Sequence, residues 1–288
     1  MKLSVCIVNL NAKKYLSKCI NSLTSGIATK DYEIIIVDNN SSDKSCAYIQ
    51  SIKNNKIILI QNYHNRGYTV AINQAIVKSK GENILILNPD SILEKKSIHI
   101  LLRYLEKNKN TGIIGPKVVN ESGYFQASCR RGLAKPFAVF SYFFGFARLF
   151  PKNKLFTGYQ LNHLDVDTIS QVDGVSGSCM IIRKEVIDNI GFFDERFFAY
   201  QEDSDFCLRA KKRGWVICYN PRAKVMHVGG VGGANSVPMR AIFEWHRSYY
   251  RFYFKHFSKS HSILFNFFYA LIMGLKLIIS ETLYILKK

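Results

Sequence analysis

The first third of the chain alternates short apolar runs with longer stretches of mixed polarity, and this alternation limits the possible folds more than any other feature. Runs of strand length, rich in Ile and Val, cover residues 3–8, 33–37, 56–60 and 83–87. Stretches of helical length between them cover residues 13–25, 43–52 and 67–79. This order predicts an α/β fold whose central sheet is buried, mostly parallel and flanked by helices.

Polar side chains follow each of these predicted strands. They are Asn9 and Asn11, the run DNNSSD at 38–43, Gln61 and Asn62, and the run NPD at 88–90. Such residues also form turns and cap helices, which would account for any one cluster. Ligands of parallel sheets bind at the carboxyl ends of the strands, so four clusters at one edge favour a binding site.

Several function classes are disfavoured by what the sequence lacks. Neither a GxxxxGK[ST] loop nor a GxGxxG turn after the first strand is present, which argues against a nucleotide triphosphatase and a typical dehydrogenase. The seven cysteines are odd in number and have no CxxC spacing, so we expect neither a disulfide framework nor a zinc knuckle, and a reducing compartment. The N-terminus reads as a strand rather than a signal peptide.

Three acidic residues, Glu202, Asp203 and Asp205, open a predicted helix. Acidic side chains in a first helical turn stabilise the helix dipole, and this capping role would explain one or two of them. Three within four residues exceed that need, so at least one is a candidate general base, and the residues alone do not say which.

Asp90 and His227 are candidate metal ligands. Asp90 follows a strand and a proline, a rigid position for a ligand of a hard cation. His227 follows the apolar run 223–226 and precedes the glycine-rich segment 228–233, which could fold over an anion. A lone histidine is more often a packed or surface residue, and that alternative stays open here.

Five segments together resemble the inverting glycosyltransferases of family 2, and most closely the rhamnosyltransferase branch. They are VDNNSSD at 37–43, NRGY at 65–68 with Asn73 beyond it, LNPD at 87–90, VDGVSGSCMIIR at 172–183 and FFDERFFAYQEDSDFCLRAKKRGW at 192–215. The resemblance covers about residues 1–230 and implies a GT-A fold.

The resemblance also implies a role for each candidate residue. The nucleotide-sugar donor would be bound by Asn9, Asn11, Asp38, Asn40, Arg66, Gly67, Asn73, Asn88 and Asp90. Within that set Asp38 would hold the pyrimidine base, and Asp90 with His227 would bind Mg²⁺ or Mn²⁺ at the diphosphate. Asp203 would be the catalytic base, and Gly177, Glu202 and Asp205 would lie on the acceptor side.

The chain departs from the family pattern at two positions. Leu10 stands where the family often has an aromatic residue that stacks on the base, and Asn88 replaces the first acid of the DxD motif. The first departure removes the expected stacking partner. The second leaves one strong carboxylate ligand and, because Asn-Pro-Asp is similar to the rhamnosyltransferase branch, indicates the subclass.

The net charge of +19 must be explained by an anionic partner. Residues 133–156 are aromatic and basic and predict a loop or short helices, and residues 240–261 interleave cationic with aromatic side chains. This composition suits single-stranded nucleic acid or a membrane interface, and we favour an anionic membrane surface. Residues 263–286 predict an amphipathic helix that lies in the interface, or packs on a partner, more readily than it crosses.

The sequence thus predicts a GT-A domain at 1–235, with a nucleotide-sugar-binding half at 1–110 and an acceptor half at 111–235, and membrane-associating helices at 236–288. We expect a metal-dependent transfer of L-rhamnose from dTDP-L-rhamnose to a lipid-linked saccharide in surface polysaccharide assembly. The protein would be peripheral, at the cytoplasmic face of the bacterial plasma membrane.

The alternatives are transfer of galactose or N-acetylglucosamine from a UDP donor and, in another class, a non-catalytic nucleic-acid-binding protein. Asp38, Asp90 and Asp203 would repel a phosphate backbone, so no nucleic acid is expected.

Overall fold

The computed structural model describes residues 2–27, 31–231 and 237–287. The strands are β1 (Leu3–Asn9), β2 (Tyr32–Asp38), β3 (Ile57–Gln61), β4 (Asn83–Leu87), β5 (Ser91–Leu93), β6 (Thr111–Val119), β7 (Arg130–Arg131), β8 (Ser170–Gln171), β9 (Gly174–Val175), β10 (Cys179–Arg183) and β11 (Val216–His227). The predicted domain boundary at 235 and the end of the glycine-rich segment lie outside the described residues.

The helices include all three that the sequence predicts in the first third. They are α1 (Lys13–Gly26), α2 (Ser45–Ser51), α3 (Tyr68–Lys78), α4 (Ser97–Lys107), α5 (Pro136–Phe143), α6 (Phe146–Leu149), α7 (Lys154–Thr157), α8 (Lys184–Ile190), α9 (Glu202–Lys212), α10 (Pro238–His256) and α11 (Ile263–Leu286). The aromatic and basic stretch 133–156 forms the short helices α5, α6 and the start of α7, as one of its two predicted forms.

Across the described residues the main sheet has nine strands, in the order β3-β2-β1-β4-β10-β6-β11-β5, with β8 paired to β11. The predicted parallel part is confirmed, because β1 pairs in parallel with β2 and β4, and β2 with β3. The sequence predicted a strand that ends the segment 172–183, but not that this strand, β10, runs antiparallel between β4 and β6. An apolar run of five residues has the same pattern in either direction.

Both faces of the sheet are buried, as a parallel sheet requires. Side chains of β1 alternate between the faces: Val5 and Ile7 belong to the core that contains α1, α2 and α4. Cys6 and Val8 belong to the core on the other face, which contains α3, α8 and α9. This division places the amino end of α9, with its acidic residues, at the same edge of the sheet as the ends of the parallel strands.

Helix α11 turns its polar residues toward α10 and its apolar residues outward. Asn266 accepts a hydrogen bond from the Tyr253 hydroxyl, and Lys276 and Ser280 lie 3.4 and 3.3 Å from His246 Nε2. Apolar side chains along the other side are exposed, including Leu264, Phe267, Phe268, Leu271, Leu275, Ile278 and Ile279. The predicted amphipathic helix is thus present, but its side with Asn266, Lys276 and Ser280 faces α10 rather than water.

Helix α10 is joined to α9 by the carboxylate of Asp205, which has no exposed surface. The carboxylate accepts hydrogen bonds from Arg209 Nε at 2.9 Å and His256 Nε2 at 2.7 Å, and pairs with Lys255 Nζ at 2.5 Å. Burial raises the pKa of this carboxyl, but the hydrogen bonds from His256 and Lys255 outweigh burial, so the pKa is lower than its usual value. The ion pair therefore stabilises the fold as long as Asp205 is ionised.

Asp205→Asn should lower the free energy of unfolding by about 3 kcal/mol at neutral pH, because it removes the buried carboxylate that pairs with Arg209 and one of the two carboxylates that pair with Lys255. Since the folded-state pKa lies below the unfolded value of about 4, the difference from wild type should persist above that pH and shrink as the pH falls through the folded pKa. Urea unfolding at several pH values measures both effects.

The matched control is Asp188→Asn, which breaks the exposed pair of Asp188 with Lys184. This variant should stay within about 1 kcal/mol of wild type. Equal losses in the two variants would contradict a structural role for the buried pair.

Candidate active site

A cavity of about 520 Å³, called here the central cavity, opens at the edge where the parallel strands end. Its polar wall includes residues that the sequence singled out on separate elements, namely Asn88, Asp90, Gly177, Glu202, Asp203 and His227. They come from the ends of β4 and β11, the turn before β10 and the first turn of α9. The structure therefore brings the predicted metal, base and acceptor-side residues to one place.

Asp90 and His227 lie side by side. Asp90 Oδ1 is 3.3 Å from His227 Nε2, and Asp90 Oδ2 accepts a hydrogen bond from the Gly229 backbone N–H at 2.9 Å. Their proximity follows from the pairing of β5 with β11, which sets His227 opposite Ser91, the residue after Asp90. A carboxylate oxygen and an imidazole nitrogen are thus available together on the cavity wall.

Gln126 fixes the tautomer of His227. The Gln126 Nε2 donates to the His227 carbonyl at 2.7 Å, which orients the amide so that Oε1 faces His227 Nδ1 at 3.0 Å. An amide oxygen can only accept, so Nδ1 carries the proton. The Asn88 Nδ2 lies 3.3 Å from Nε2, and an amide nitrogen can only donate, so Nε2 carries the electron pair of the ring and accepts this hydrogen bond. The sequence carried no signal for Gln126, which lies 101 residues away.

The Asp203 carboxylate is held at both oxygens and is 6% exposed. Oδ2 pairs with the Arg131 guanidinium and accepts a hydrogen bond from the Gly177 N–H at 3.0 Å. Oδ1 accepts from the Ser204 N–H at 2.7 Å. These contacts fix the carboxylate in one orientation at the cavity wall, and sequence reasoning did not identify Arg131 as their main contributor.

Glu202 has the opposite environment. It is 6% exposed, and its Oε2 has no hydrogen-bond partner among the described residues. Burial, followed by the charge of the neighbouring Asp203, raises the pKa of the Glu202 carboxyl above its usual value. Asp203 thus has the Arg131 guanidinium as an ion-pair partner, whereas Glu202 Oε2 has no partner among the described residues.

Asp38 and Asn9 form a buried link between the ends of β2 and β1. The Asn9 Nδ2 donates to Asp38 Oδ2 at 2.7 Å, and the Ser41 N–H donates to Asp38 Oδ1 at 2.8 Å. Both residues have at most 1% exposed surface and lie off the central cavity, whose wall at this end includes Val8, Leu10 and Asn39. The predicted donor residues Asp38 and Asn9 thus lie at the expected edge, one layer behind the wall.

The other donor candidates of this edge also lie off the central cavity. Asn11 and Asn40 have positive φ angles of 51° and 73°, and Asn11 Oδ1 accepts a hydrogen bond from the Ser42 N–H at 2.7 Å. Arg66 is exposed on the neighbouring loop. These residues shape the loops that follow the strands, and their predicted contacts with a nucleotide stay predictions.

Gly67 has a packing reason of its own. Its φ is +89°, and a methyl group at this position would lie 2.6 Å from Phe198 Cδ2 and 2.8 Å from the Phe198 carbonyl oxygen. Directly after it, the Tyr68 N–H donates to that carbonyl at 2.7 Å. Glycine is therefore needed for the loop before α3 to approach the segment before α9.

The structure does not bring Asn73 or Asp205 to the central cavity. The Asn73 side chain donates to the Phe193 carbonyl at 2.9 Å and accepts from the Phe193 N–H at 3.1 Å, so its amide anchors the loop that leads to α9. Asp205 has no exposed surface and pairs with cations of α9 and α10. Both predicted site roles are thus replaced by structural roles, because the polar atoms are already bonded within the protein.

Helix α10 supplies one wall of the central cavity through Arg240, Glu244, Trp245 and Tyr249. From the sequence we favour a membrane surface for this helix, with single-stranded nucleic acid or packing of its aromatic residues on the domain as alternatives, and none of its residues is among the predicted site residues. Arg240 lies over the ring of Phe198, with its guanidinium carbon 4.0 Å from the ring centroid. An interleaved pattern of cationic and aromatic residues indicates an amphipathic helix, but it does not say which residues turn toward a cavity.

Comparisons with known proteins agree with this geometry. The model of the family "Glycosyl transferase family 2" matches residues 4–191. An N-acetylglucosaminyl-diphospho-decaprenol L-rhamnosyltransferase of Mycobacterium tuberculosis is 29% identical over 78% of this chain and 75% of its own length. Rhamnosyltransferase WbbL of Escherichia coli is 24% identical over 84% of this chain and 88% of its own length.

Among solved structures, a mannosyltransferase of Pyrobaculum calidifontis in complex with GDP-Man and Mn²⁺ has a TM-score of 0.59 and 13% identity over 87% of this chain. The chain spans 63% of that protein, less than two thirds. At this identity the likeness concerns the fold alone, and the expected GT-A architecture is confirmed.

Gly67→Ala should lower the free energy of unfolding by about 2–4 kcal/mol, since it adds a clash with Phe198 to the strain of a positive φ. The matched control is Gly123→Ala, which has a similar φ of +81° and no atom within 4 Å of the added methyl group. The control should lose only about 1–2 kcal/mol. Denaturant unfolding compares the two, and equal losses would show that the contact with Phe198 contributes nothing.

Proposed function

The chain belongs to glycosyl transferase family 2, and from this premise we propose that it is a metal-dependent, inverting glycosyltransferase that moves L-rhamnose from dTDP-L-rhamnose to a lipid-linked saccharide. The observation that carries the proposal is that two chemical groups line the same cavity. These groups are the Asp90–His227 pair and the Asp203 carboxylate held by Arg131.

Asp90 and His227 would hold Mg²⁺ or Mn²⁺. These two side chains are suitable ligands for such an ion. A carboxylate oxygen and an imidazole nitrogen lie 3.3 Å apart, and Gln126 keeps the imidazole proton on the other ring nitrogen. Hard divalent cations in such sites are bound by one or two protein ligands and by substrate phosphates. The described residues contain no cluster of three or more acidic, His or Cys ligands, so diphosphate oxygens would complete the coordination.

A divalent cation bound there supplies positive charge to the diphosphate as the bond to the sugar breaks. The chain's own residues do the rest. Asp203 would accept the proton of the attacking acceptor hydroxyl, and the contacts from Gly177 and Ser204 keep its carboxylate in one orientation. A single displacement, with the base on the opposite face of the sugar from the leaving group, inverts the anomeric centre.

The choice of donor and acceptor rests on the relatives. The mycobacterial and Escherichia coli proteins are named as rhamnosyltransferases, and the name of the first specifies a diphospho-decaprenol acceptor. Transfer of galactose or N-acetylglucosamine from a UDP donor is the alternative. A nucleotide-sugar screen with dTDP, UDP and GDP donors separates these cases.

We also propose that the enzyme is peripheral and docks on an anionic membrane, at the cytoplasmic face, through the outward side of α11. This helix is long and apolar enough to cross a bilayer by length and composition, with a mean hydropathy of 2.0. Crossing would separate Asn266, Lys276 and Ser280 from α10, so we favour a helix that lies in the interface. The charge of +19 would add electrostatic attraction to anionic lipid.

Substitutions at Asp90 and Asp203 should separate metal-dependent donor binding from sugar transfer. Asp90→Asn should abolish the Mn²⁺-dependent rise in melting temperature that the correct nucleotide-sugar causes, since it removes a metal ligand. Asp203→Asn should keep that rise and lose transfer at least about 100-fold, because it removes the base and leaves Asp90 and His227 in place. Differential scanning fluorimetry and a radiolabelled transfer assay measure the two effects.

A wild-type protein with no metal-dependent shift for any donor would contradict the metal proposal. Turnover of Asp203→Asn within about tenfold of wild type would contradict the assignment of the base.

Glutamate substitutions at the outward residues Leu271 and Ile278 should reduce binding to vesicles of phosphatidylcholine and phosphatidylglycerol at least about tenfold, because charge opposes insertion of an apolar face. The control is Tyr63→Glu, at a ring that is 99% exposed and lies outside α11. Vesicle co-sedimentation measures binding. Vesicle binding by the Leu271 and Ile278 variants equal to that of wild type and of Tyr63→Glu would contradict docking through α11.

A further inference from the structure

Three side chains on the wall of the central cavity carry a buried oxygen with neither a hydrogen-bond nor an ionic partner among the described residues. They are Tyr68 Oη, Gln201 Oε1 and Glu202 Oε2. A buried polar atom without a partner costs about 1–3 kcal/mol, and native proteins keep few of them. Three at one cavity indicate a missing partner with several hydrogen-bonding groups.

The Tyr68 hydroxyl is placed beside Asp203. A methyl group on Gly177 would be 3.5 Å from Tyr68 Oη and 3.9 Å from Asp203 Oδ2, so the hydroxyl and the carboxylate face the same small space at Gly177. The backbone of Tyr68 is fixed by its N–H, which donates to the Phe198 carbonyl at 2.7 Å. The hydroxyl is therefore held at the site of proton transfer without being bonded itself.

Gln201 is fixed at one end and free at the other. Its Nε2 donates to Tyr159 Oη at 3.0 Å, and that oxygen is 2.7 Å from Tyr249 Oη. The side chain is 2% exposed, and Oε1 is left as an acceptor on the cavity wall. Tyr200 and Gln201 have φ angles of +68° and +59°, so two successive non-glycine residues adopt a left-handed conformation just before Glu202. Such backbone strain is typical of functional sites.

We propose that Tyr68, Gln201 and Glu202 form a subsite that binds hydroxyl groups of the acceptor saccharide, with Tyr68 and Gln201 as specificity-determining residues. The inference rests on the proposed function. Sugar hydroxyls both donate and accept, so several hydroxyls of one saccharide can satisfy the Tyr68 hydroxyl, the Gln201 amide oxygen and the Glu202 carboxyl. The rings of Tyr142 and Trp245 also line the cavity and offer apolar surface to the C–H face of a sugar.

The acceptor, rather than the donor, is assigned to this subsite because the Tyr68 hydroxyl lies beside the base, and Glu202 is the base's neighbour in the chain. Asp203 must be within hydrogen-bond reach of the hydroxyl that it deprotonates. The donor diphosphate is assigned to Asp90 and His227 on other elements. A site that hydrogen-bonds a substrate hydroxyl rejects analogues that lack the hydroxyl, because its own buried atoms are then left unpaired.

Tyr68→Phe tests the proposal by removing one oxygen. With dTDP-L-rhamnose as donor and N-acetylglucosamine linked by diphosphate to a short polyprenyl chain as acceptor, the acceptor KM should rise roughly three- to tenfold. The donor KM should be unchanged, because the donor diphosphate is assigned to Asp90 and His227. The melting temperature of the free protein should stay the same or rise, since the hydroxyl has no internal partner to lose. Gln201→Met should raise the acceptor KM as well.

The control Tyr63→Phe alters a fully exposed ring outside the cavity and should change none of these quantities. A higher donor KM with an unchanged acceptor KM would overturn the proposal, and so would a fall in melting temperature of more than about 2 °C in Tyr68→Phe, which would reveal an internal partner. Absence of transfer by the wild-type enzyme with every donor would overturn the proposed function instead. In that case the melting comparison still decides whether the Tyr68 hydroxyl is unpartnered.

Discussion

The site depends on the register of strand pairing around β4. Because β1 pairs in parallel with β2 and β4, the carboxyl ends of these strands meet at one edge. Strand β10 runs the other way and sets Cys179 opposite Leu87, so the turn that begins β10 meets the turn that ends β4. The hydrogen bond from the Asn88 N–H to the Ser178 carbonyl, at 3.0 Å, closes that junction. The Ser91 hydroxyl also donates to the Ser178 carbonyl at 2.9 Å, so the turns that carry Asp90 and Gly177 meet although 87 positions separate them in the chain.

Electrostatic compensation is local in this protein. The chain has 40 Lys and Arg residues against 21 Asp and Glu residues, and most of the buried acidic side chains among the described residues lie at the cavity or at the junction of α9 with α10. Asp203 has Arg131, and Asp205 has Arg209, Lys255 and His256. Among the described residues Glu202 forms no ion pair, and burial, followed by the charge of Asp203, raises the pKa of its carboxyl. Adjacent residues of one helix turn thus have three different electrostatic environments, set by what packs on each face of α9.

The order of elements and the edge that carries the site were predictable from the sequence, because a period of two or a buried run of Ile and Val reflects burial directly. The bounds of β4 and of the first three helices agree with the predictions to within two residues. Asp205 and Asn73 were predicted at the site but do not line the central cavity. The sequence alone does not show whether a carboxylate or an amide faces a cavity or is bonded inside the protein. Arg131, Gln126 and the wall formed by α10 depend on contacts between distant segments, and no local pattern records such contacts.

Helix α11 has a further consequence for handling the protein. A helix whose polar residues face inward and whose apolar residues face outward has no favourable state in plain water, because its outer side is hydrated at a cost. Detergent, lipid or the same surface of a second copy must then cover that apolar side. The conditions of purification, and not only the amino-acid sequence, therefore determine whether the last helix keeps its place beside the cavity wall.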